Sequence, residues 1–464
     1  MLKLYNSLHQ EKEVFQPLVA GKAKVYVCGM TVYDYCHLGH MRMLIAFDLL
    51  VRYLRFLSYD VTYVRNITDV DDKIIKRANE NQEDYLALAE RFIQAMHEDL
   101  HALGLVTPTQ EPRATEFIPQ MIALIKTLVQ KGHAYQAENG DVFFEVRRFA
   151  NYGCLSHRNI DELESGARVE INDVKRDPLD FVLWKMAKPG EPAWDSPWGA
   201  GRPGWHIECS AMSMQLLGEQ FDIHGGGKDL IFPHHENELA QSEAASGQPF
   251  VKVWMHNGYV QINQEKMSKS LGNFLTIRDL LTTSSAEDLR YFLVASHYRS
   301  QLQFNDSALA QAHQALERFY IALRDLPPAA APNDSRFAAR FREAMNDDLN
   351  TPMAIAVLFE LAHEIHRLRE KNMPEAAAHG ALLKQLGGIL GILQNTPEAF
   401  LQANPDKSQA AHIEKLIADR EQARKEKNWT EADRLRSELA QLSVVLEDGP
   451  TGTIWRYEVK GRVE

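Results

Sequence analysis

Val25-Tyr26-Val27-Cys28, then His37-Leu38-Gly39-His40, then the amphipathic stretch Met41 to Leu57, then Val61 to Val64: this stretch decides the fold. Two short apolar runs around one helix-length segment make the βαβ unit of a parallel sheet. A nucleotide site is expected at the carboxyl end of such strands. His37 and His40 fall in the strand-to-helix turn. There Gly39 lets the backbone approach a ligand, and the helix N-terminus offers unpaired N–H groups to an anion.

Further along, helix Ile207 to Leu217, strand Phe221 to His224, helix His235 to Ala245 and strand Val251 to Met255 read as a second half of the same sheet. Between the halves, a helix near Phe117 to Lys131, short strand-like pieces at Asp141 to Glu145 and the Pro/Trp/Gly-rich stretch Pro189 to Gly204 read as an insertion. Beyond Ala286 the pattern is helical almost throughout, and Pro327 to Pro332 and Thr396 to Ser408 have the composition of linkers. The expected divisions are 1–112 and 205–284 for the two halves of the sheet, 113–204 for the insertion, 285–326 and 335–395 for helical regions, and 409–464 for a small terminal unit. The last holds two helices and a β-like tail, Val444 to Val459.

At 464 residues, 45% hydrophobic and 25% charged, the chain has a globular composition, which excludes disordered and collagenous classes. No apolar run approaches the roughly 20 residues that span a bilayer, and the first residues lack a secretory h-region. The cytoplasm is the expected location, with no membrane partner. Four cysteines without a Cys-x-x-Cys argue against a disulfide scaffold. A net charge of −12 is the wrong sign for a protein that coats nucleic acid, so RNA would be bound through local patches. In the terminal unit, Arg420, Arg424 and Lys427 form one candidate stripe, against a compensated solvent face. Trp455 beside Arg456 is a candidate for base stacking or for the unit's own core.

Lys266-Met267-Ser268-Lys269-Ser270 joins two ammonium groups and two hydroxyls in one loop, a phosphate-gripping combination that read alone also describes a solvated turn. His234 and Glu238 are four residues apart at the start of a helix, so they share a face and can bind one ion; Cys28 and Cys209 can reach the same end of the sheet. His224-Gly225-Gly226-Gly227-Lys228-Asp229 reads as a strand followed by a glycine turn that meets a nucleotide, with Asp229 accepting from ribose hydroxyls.

Taken together, the His37 to His40 and Lys266 to Ser270 motifs resemble the paired signatures of class I aminoacyl-tRNA synthetases. With Cys28, Gly204 to Cys209 and His234 to Glu238, the set is similar to the cysteinyl-tRNA synthetases. The resemblance spans the catalytic region and, more loosely, the helical C-terminal part. It implies an α/β fold: a Rossmann-like parallel-sheet catalytic domain with an inserted connective domain, then a helical stem-contact region, a helical bundle and a small C-terminal anticodon-binding domain.

The implied zinc ligands are Cys28, Cys209, His234 and Glu238, with one Zn²⁺ per chain. His37, His40, Lys266 and Lys269 would be catalytic. Gly39, His40, His224, Gly226, Asp229 and Lys269 would bind ATP together with Mg²⁺, and Thr31, Thr68 and Trp205 would bind the amino acid. Leu38 stands where the best-known version of the first motif has isoleucine. The implied partners are tRNA(Cys), ATP and L-cysteine, acting on a monomer. The alternatives are a zinc-dependent ligase joining cysteine to an aminosugar and a catalytically silent RNA-binding paralogue.

Overall fold

Strands that alternate with helices set the architecture. In the computed structural model the described residues are 1–159, 174–262, 265–266, 274–403, 409–449 and 452–457. Strand β1 (Lys22–Val27), helix α1 (Leu38–Phe56) and strand β2 (Asp60–Arg65) form the first βαβ unit. Helix α2 (Trp205–Leu217), strand β3 (Phe221–Gly227), helix α3 (Glu236–Ser246) and strand β4 (Val251–Asn257) supply the second half. All three pairings are parallel, in the order β4-β3-β1-β2. The order reverses between β1 and β3, so the crevice beyond their carboxyl ends is the topological switch point where ligands bind. Cys28 leaves β1 there, and Gly225 to Gly227 end β3.

Val25, Tyr26 and Val27 have no exposed surface, which is why this run is continuously apolar instead of alternating. Helix α1 differs from the amphipathic reading, because it is buried on most sides. Its two interior charges are matched within the fold. Asp48 accepts from Arg52 Nε at 2.7 Å and from the Val106 N–H at 2.6 Å. Arg42 donates to the His297 carbonyl at 2.6 Å and, more loosely, to those of Ser296 and Ser300.

The glycine run also departs from the sequence reading. Gly225, Gly226 and Gly227 are the last residues of strand β3, paired with Met255, His256 and Asn257, and do not form a turn after it. A Cβ on Gly225 would stand 2.1 Å from the Phe47 ring of α1, and one on Gly226 would stand 2.7 Å from the His235 ring. Here glycine lets a helix and an imidazole lie directly on the strand.

Between the halves, helix Ile118–Gln130 precedes an antiparallel sheet of Ala134–Gln136, Val142–Phe144, Phe181–Met186 and Gly201–Pro203, paired in that order. Phe144, Leu183 and Trp184 of this sheet share one core with Tyr26, Phe221 and Leu239.

A second compact unit comprises Thr283–Ala295, Phe304–Glu343 and Thr351–Glu464. Its long helices are Asp306–Leu323, Thr351–Arg369 and Met373–Leu390. Inside the stretch read as a linker, Pro397–Leu401 is a short helix whose Phe400 stacks on Tyr320 at 4.3 Å; residues 404–408 lie outside the described ones. At the end, helices Gln409–Lys425 and Trp429–Gln441 pack with the hairpin Val444–Gly449/Gly452–Tyr457.

Trp455 belongs to this terminal core, 3% exposed, with its Nε1–H donated to Glu414 at 2.7 Å. That decides against base stacking, since its faces are covered by the domain itself. Arg420 is likewise buried and clamps Asp448 through both terminal nitrogens at 3.0 and 2.9 Å; Arg424 shares the same carboxylate at 2.7 Å. Two of the three cations in the expected basic stripe are therefore paired with one acid of the same unit. Among the described residues no helix is long and apolar enough to cross a membrane.

Candidate active site

The turn between β1 and α1 is built by the two histidines. His37 caps the helix: its Nδ1 accepts from the His40 N–H at 3.3 Å, and His40 Nδ1 accepts in return from the His37 N–H at 3.4 Å. The rings stack with centroids 3.5 Å apart. Because both Nδ1 atoms accept, each neutral ring carries its proton on Nε2, so both rings present an N–H donor. The first turn of α1 contains no acidic side chain, which leaves the positive helix end unneutralised. Gly39 lies between the two histidines in sequence, and the arrangement suits an anion.

Close to the same carboxyl edge lies a buried cluster. Cys28 Sγ is 3.6 Å from Cys209 Sγ and 3.4 Å from Glu238 Oε1, and His234 Nε2 is 2.9 Å from the same oxygen. Two thiolates bound to one tetrahedral zinc at about 2.3 Å each would be about 3.8 Å apart, so the sulfur pair is already at metal-bridged spacing. Cys28 arrives at the end of β1, Cys209 from the first turns of α2, and Glu238 from the start of α3. His234 lies in the irregular turn Ile231–His235 that leads into α3.

A second overlapping donor set, Cys28, His224, His235 and Glu238, also falls within 4.8 Å. Its two histidines contact residues common to both sets. His224 Nε2 is 2.8 Å from Glu238 Oε2, and His235 Nε2 is 3.3 Å from Cys28 Sγ, so each orients a residue of the first set. His235 Nδ1 is held in turn by His256 Nε2 at 2.8 Å, and His256 Nδ1 by Ser7 Oγ at 2.7 Å. His206 Nδ1 meets His234 Nδ1 at 2.9 Å, which leaves Nε2 of His234 for the cluster.

The electrostatics fit a cation. Burial opposes ionisation of Cys209, but the hydrogen bond from Cys28 and the neighbouring His234 bring its thiol down to about 6. Burial, together with that same sulfur and Glu238, pushes Cys28 well above the ordinary thiol range. Glu238 is held well below the carboxylate range in spite of burial, by His224 and His234. Two adjacent buried sulfurs beside a carboxylate thus oppose each other's ionisation, and a soft divalent cation would let both ionise.

Thr31 and Thr68 face each other in a parallel bridge beyond β1 and β2. The Thr68 hydroxyl donates to Glu208 Oε2 at 3.0 Å, and Glu208 is itself buried, which raises its carboxyl well above the usual range. Trp205, 40% exposed, stacks on His234 at 4.1 Å, so one face of a metal-cluster residue is roofed by an aromatic ring.

His224 departs from the nucleotide reading. It has no exposed surface, lies flat on Trp254 at 4.5 Å and turns its Nε2 to Glu238, among the groups that could hold a metal. Gly226 is buried against His235, whereas Asp229 is exposed just past the strand. Lys266 is described only as backbone, in a two-residue strand paired with Val260–Ile262; Lys269 lies outside the described residues. The supporting chain His235–His256–Ser7 and the contacts of His206 and Glu208 escaped sequence reasoning. Only His235 and His256 have a signal, the density of histidines in 224–256.

Comparison with known proteins covers nearly the whole chain. Residues 14–314 match the model for the class I (C) tRNA synthetase catalytic domain, 340–394 the DALR domain, and 406–456 the cysteinyl-tRNA ligase anticodon binding domain. The cysteine–tRNA ligase of Coxiella burnetii (strain Dugway 5J108-111) is 59% identical over 458 residues, 98% of this chain and 100% of the relative. That of Alkalilimnicola ehrlichii is 59% identical over 462 residues, 99% and 100% of the two chains. Among solved structures, Mycobacterium tuberculosis methionyl-tRNA synthetase in complex with methionyl-adenylate superposes with a TM-score of 0.57 at 16% identity, over 80% of this chain and 89% of that one. This last likeness establishes the shared fold.

Proposed function

Because this chain belongs to the cysteine–tRNA ligase family of class I aminoacyl-tRNA synthetases, we propose that its switch-point crevice activates L-cysteine with ATP and charges tRNA(Cys) in two steps. In the first step a carboxylate oxygen of cysteine attacks the α-phosphorus, the bond to the β-phosphate oxygen breaks, and pyrophosphate leaves. In the second, a ribose hydroxyl of the terminal adenosine attacks the acyl carbon and AMP departs. Neither step needs a protein nucleophile; the chain's task is to position the reactants and to stabilise charge.

Each residue then has a part. His37 and His40, protonated on Nε2 at the positive end of α1, donate to phosphate oxygens as charge builds on the transferring phosphorus. Lys266 and Lys269 hold the departing pyrophosphate as point charges, Asp229 accepts from the nucleotide's ribose, and Gly39 keeps the backbone low. Thr31 and Thr68 bind the amino acid's polar end. Trp205 covers it and keeps water from the adenylate.

Cysteine–tRNA ligases are zinc enzymes, and Cys28, Cys209, His234 and Glu238 would hold the ion here. When bound, it supplies a soft Lewis acid that takes a thiolate in preference to a serine hydroxyl. Pocket shape alone would separate the two amino acids by only about 1 to 3 kcal/mol. The C-terminal residues 406–456 carry the anticodon contact, and the chain works as a cytoplasmic monomer.

The observation that carries this reading is the buried sulfur pair, 3.6 Å apart, whose Cys28 follows the strand that leads into the His37–His40 turn. The test is one assay series with purified protein, ATP, cysteine and total tRNA. Cysteine-dependent ATP–pyrophosphate exchange followed by stable attachment of cysteine to tRNA is expected. Exchange without transfer to tRNA would instead indicate a small-molecule acceptor.

A further inference from the structure

The His37 turn is braced by a contact that the chemistry above leaves unused. Two backbone hydrogen bonds tie it to the segment that follows the lysine loop: the Leu38 N–H donates to the Leu275 carbonyl at 3.0 Å, and the Ile277 N–H donates to the Cys36 carbonyl at 2.9 Å. His37 and Thr276 thus face each other in an antiparallel bridge. Two such bonds are worth about 1 kcal/mol each, too little alone to fix a turn against the entropy of the chain. What anchors the second partner decides where His37 sits.

That anchor is a single short helix. Ile277–Leu281 is five residues long, capped by Thr276 through a reciprocal box with Asp279, and its apolar contribution is Ile277 and Leu280. Its one long polar side chain on the body of the fold is Arg278, which reaches helix Tyr85–Ala102. Arg278 Nη2 donates to Glu98 Oε2 at 2.6 Å and to the Ala95 carbonyl at 3.1 Å, and Nε stands 3.1 Å from Asp99 Oδ1. The same guanidinium lies over the Tyr35 ring at 5.1 Å, and Tyr35 meets Phe92 of that helix edge-on at 5.3 Å. Asp99 is buried beside Cys36, one residue before His37. Arg278 therefore touches three pieces at once: the helix that holds Asp99, the ring two residues before His37, and the segment that pairs with His37.

We infer that Arg278, with Asp99 as its buried partner, is a positioning residue for cysteine activation, which holds the His37 turn in register by anchoring Leu275–Ile277 to helix Tyr85–Ala102. Exposed ion pairs contribute little to stability, so the value of this pair lies in geometry, where a displacement of about 1 Å costs on the order of a hundredfold in rate. Arg278 touches no metal ligand among the described contacts, and its loss leaves the sulfur cluster intact.

The inference rests on His37 and His40 as the nucleotide site. Four variants test it by ATP–pyrophosphate exchange with zinc content measured alongside: Arg278→Ala, Arg278→Lys, the double variant Arg278→Gln/Asp99→Asn, and His37→Ala. Arg278→Ala is expected to lower kcat about tenfold or more, with KM for cysteine within twofold and one zinc per chain retained. Arg278→Lys, which can still pair with Asp99, is expected to recover most of that loss. The double variant removes the pair without stranding a buried carboxylate. It keeps the test informative if Arg278→Ala does not fold, and it too is expected to lose kcat with zinc retained.

If His37→Ala is impaired while the double variant activates cysteine at the native rate, the positioning role is wrong. An equal rise in KM for cysteine with loss of zinc would also overturn it, by showing a general collapse. If His37→Ala itself is fully active, the nucleotide reading fails first.

Discussion

Gly225→Ala is the perturbation whose consequence can be worked furthest from the structure. Gly225 lies inside strand β3, between Val27 and Met255 in register, and its missing Cβ faces helix α1. The added methyl would stand 2.1, 2.3 and 2.8 Å from three atoms of the Phe47 ring. Carbon atoms settle at about 3.5 Å or more, so ring and strand must separate by about 1.4 Å. Phe47 is 1% exposed, and its ring has nowhere to swing. Helix α1 must lift, and its first turn carries His37 and His40.

Overpacking of this kind costs about 1 to 3 kcal/mol in stability, and a shift near 1 Å in the histidines costs on the order of a hundredfold in cysteine activation. Denaturant unfolding and ATP–pyrophosphate exchange read the two effects separately. Phe47→Leu trims the ring and is expected to restore the double variant in a strongly non-additive way. Gly225→Ala with native stability and native exchange rate, or a double variant no better than the single one, would refute the packing argument that ties this glycine to the active site.

Three other outcomes are expected. His224→Asn removes the support under Glu238 Oε2 and should weaken zinc binding about 10- to 100-fold in competition with a chromophoric chelator; unchanged affinity would return His224 to the nucleotide. Burial, partly offset by Arg278, raises the Asp99 carboxyl to about 6. Since that exceeds the unfolded value of about 3.9, its contribution is fully present below pH 4 and is lost as pH rises through 6. The stability of Asp99→Asn relative to the native chain should therefore climb between pH 4 and 7 in urea titrations, and a flat difference would contradict it. Trp455→Ala, which empties a 3%-exposed site, should destabilise the terminal module by about 3 to 5 kcal/mol. It should depress tRNA charging while leaving pyrophosphate exchange untouched; equal losses in both would mean the module is not separable in function.

The parallel sheet was legible because strands buried on both faces, such as Val25 to Cys28, leave uninterrupted apolar runs, and a helix-length segment between two of them admits few other folds. The candidate sulfur and histidine ligands could be proposed from their motif company, but the spacing of Cys28 and Cys209 lies in tertiary structure: 181 residues separate them in sequence. The glycine run misled because glycine marks turns and close approaches alike. Only the Phe47 and His235 rings resting on the strand distinguish the two. Trp455 and Arg420 illustrate the same limit for charge and aromaticity, since an aromatic or guanidinium suited to RNA is equally suited to a small domain's core. The chain His235–His256–Ser7 joins three separate segments, and no periodicity in any one of them encodes it.

The central claim is that Cys28, Cys209, His234 and Glu238 hold one zinc that reads the thiol of the substrate. X-ray absorption at the zinc edge of the loaded protein tests it directly. The account predicts two sulfur ligands at about 2.3 Å in the free enzyme, a third on addition of cysteine, and no change with serine. A sulfur count that stays at two when cysteine is bound would contradict it.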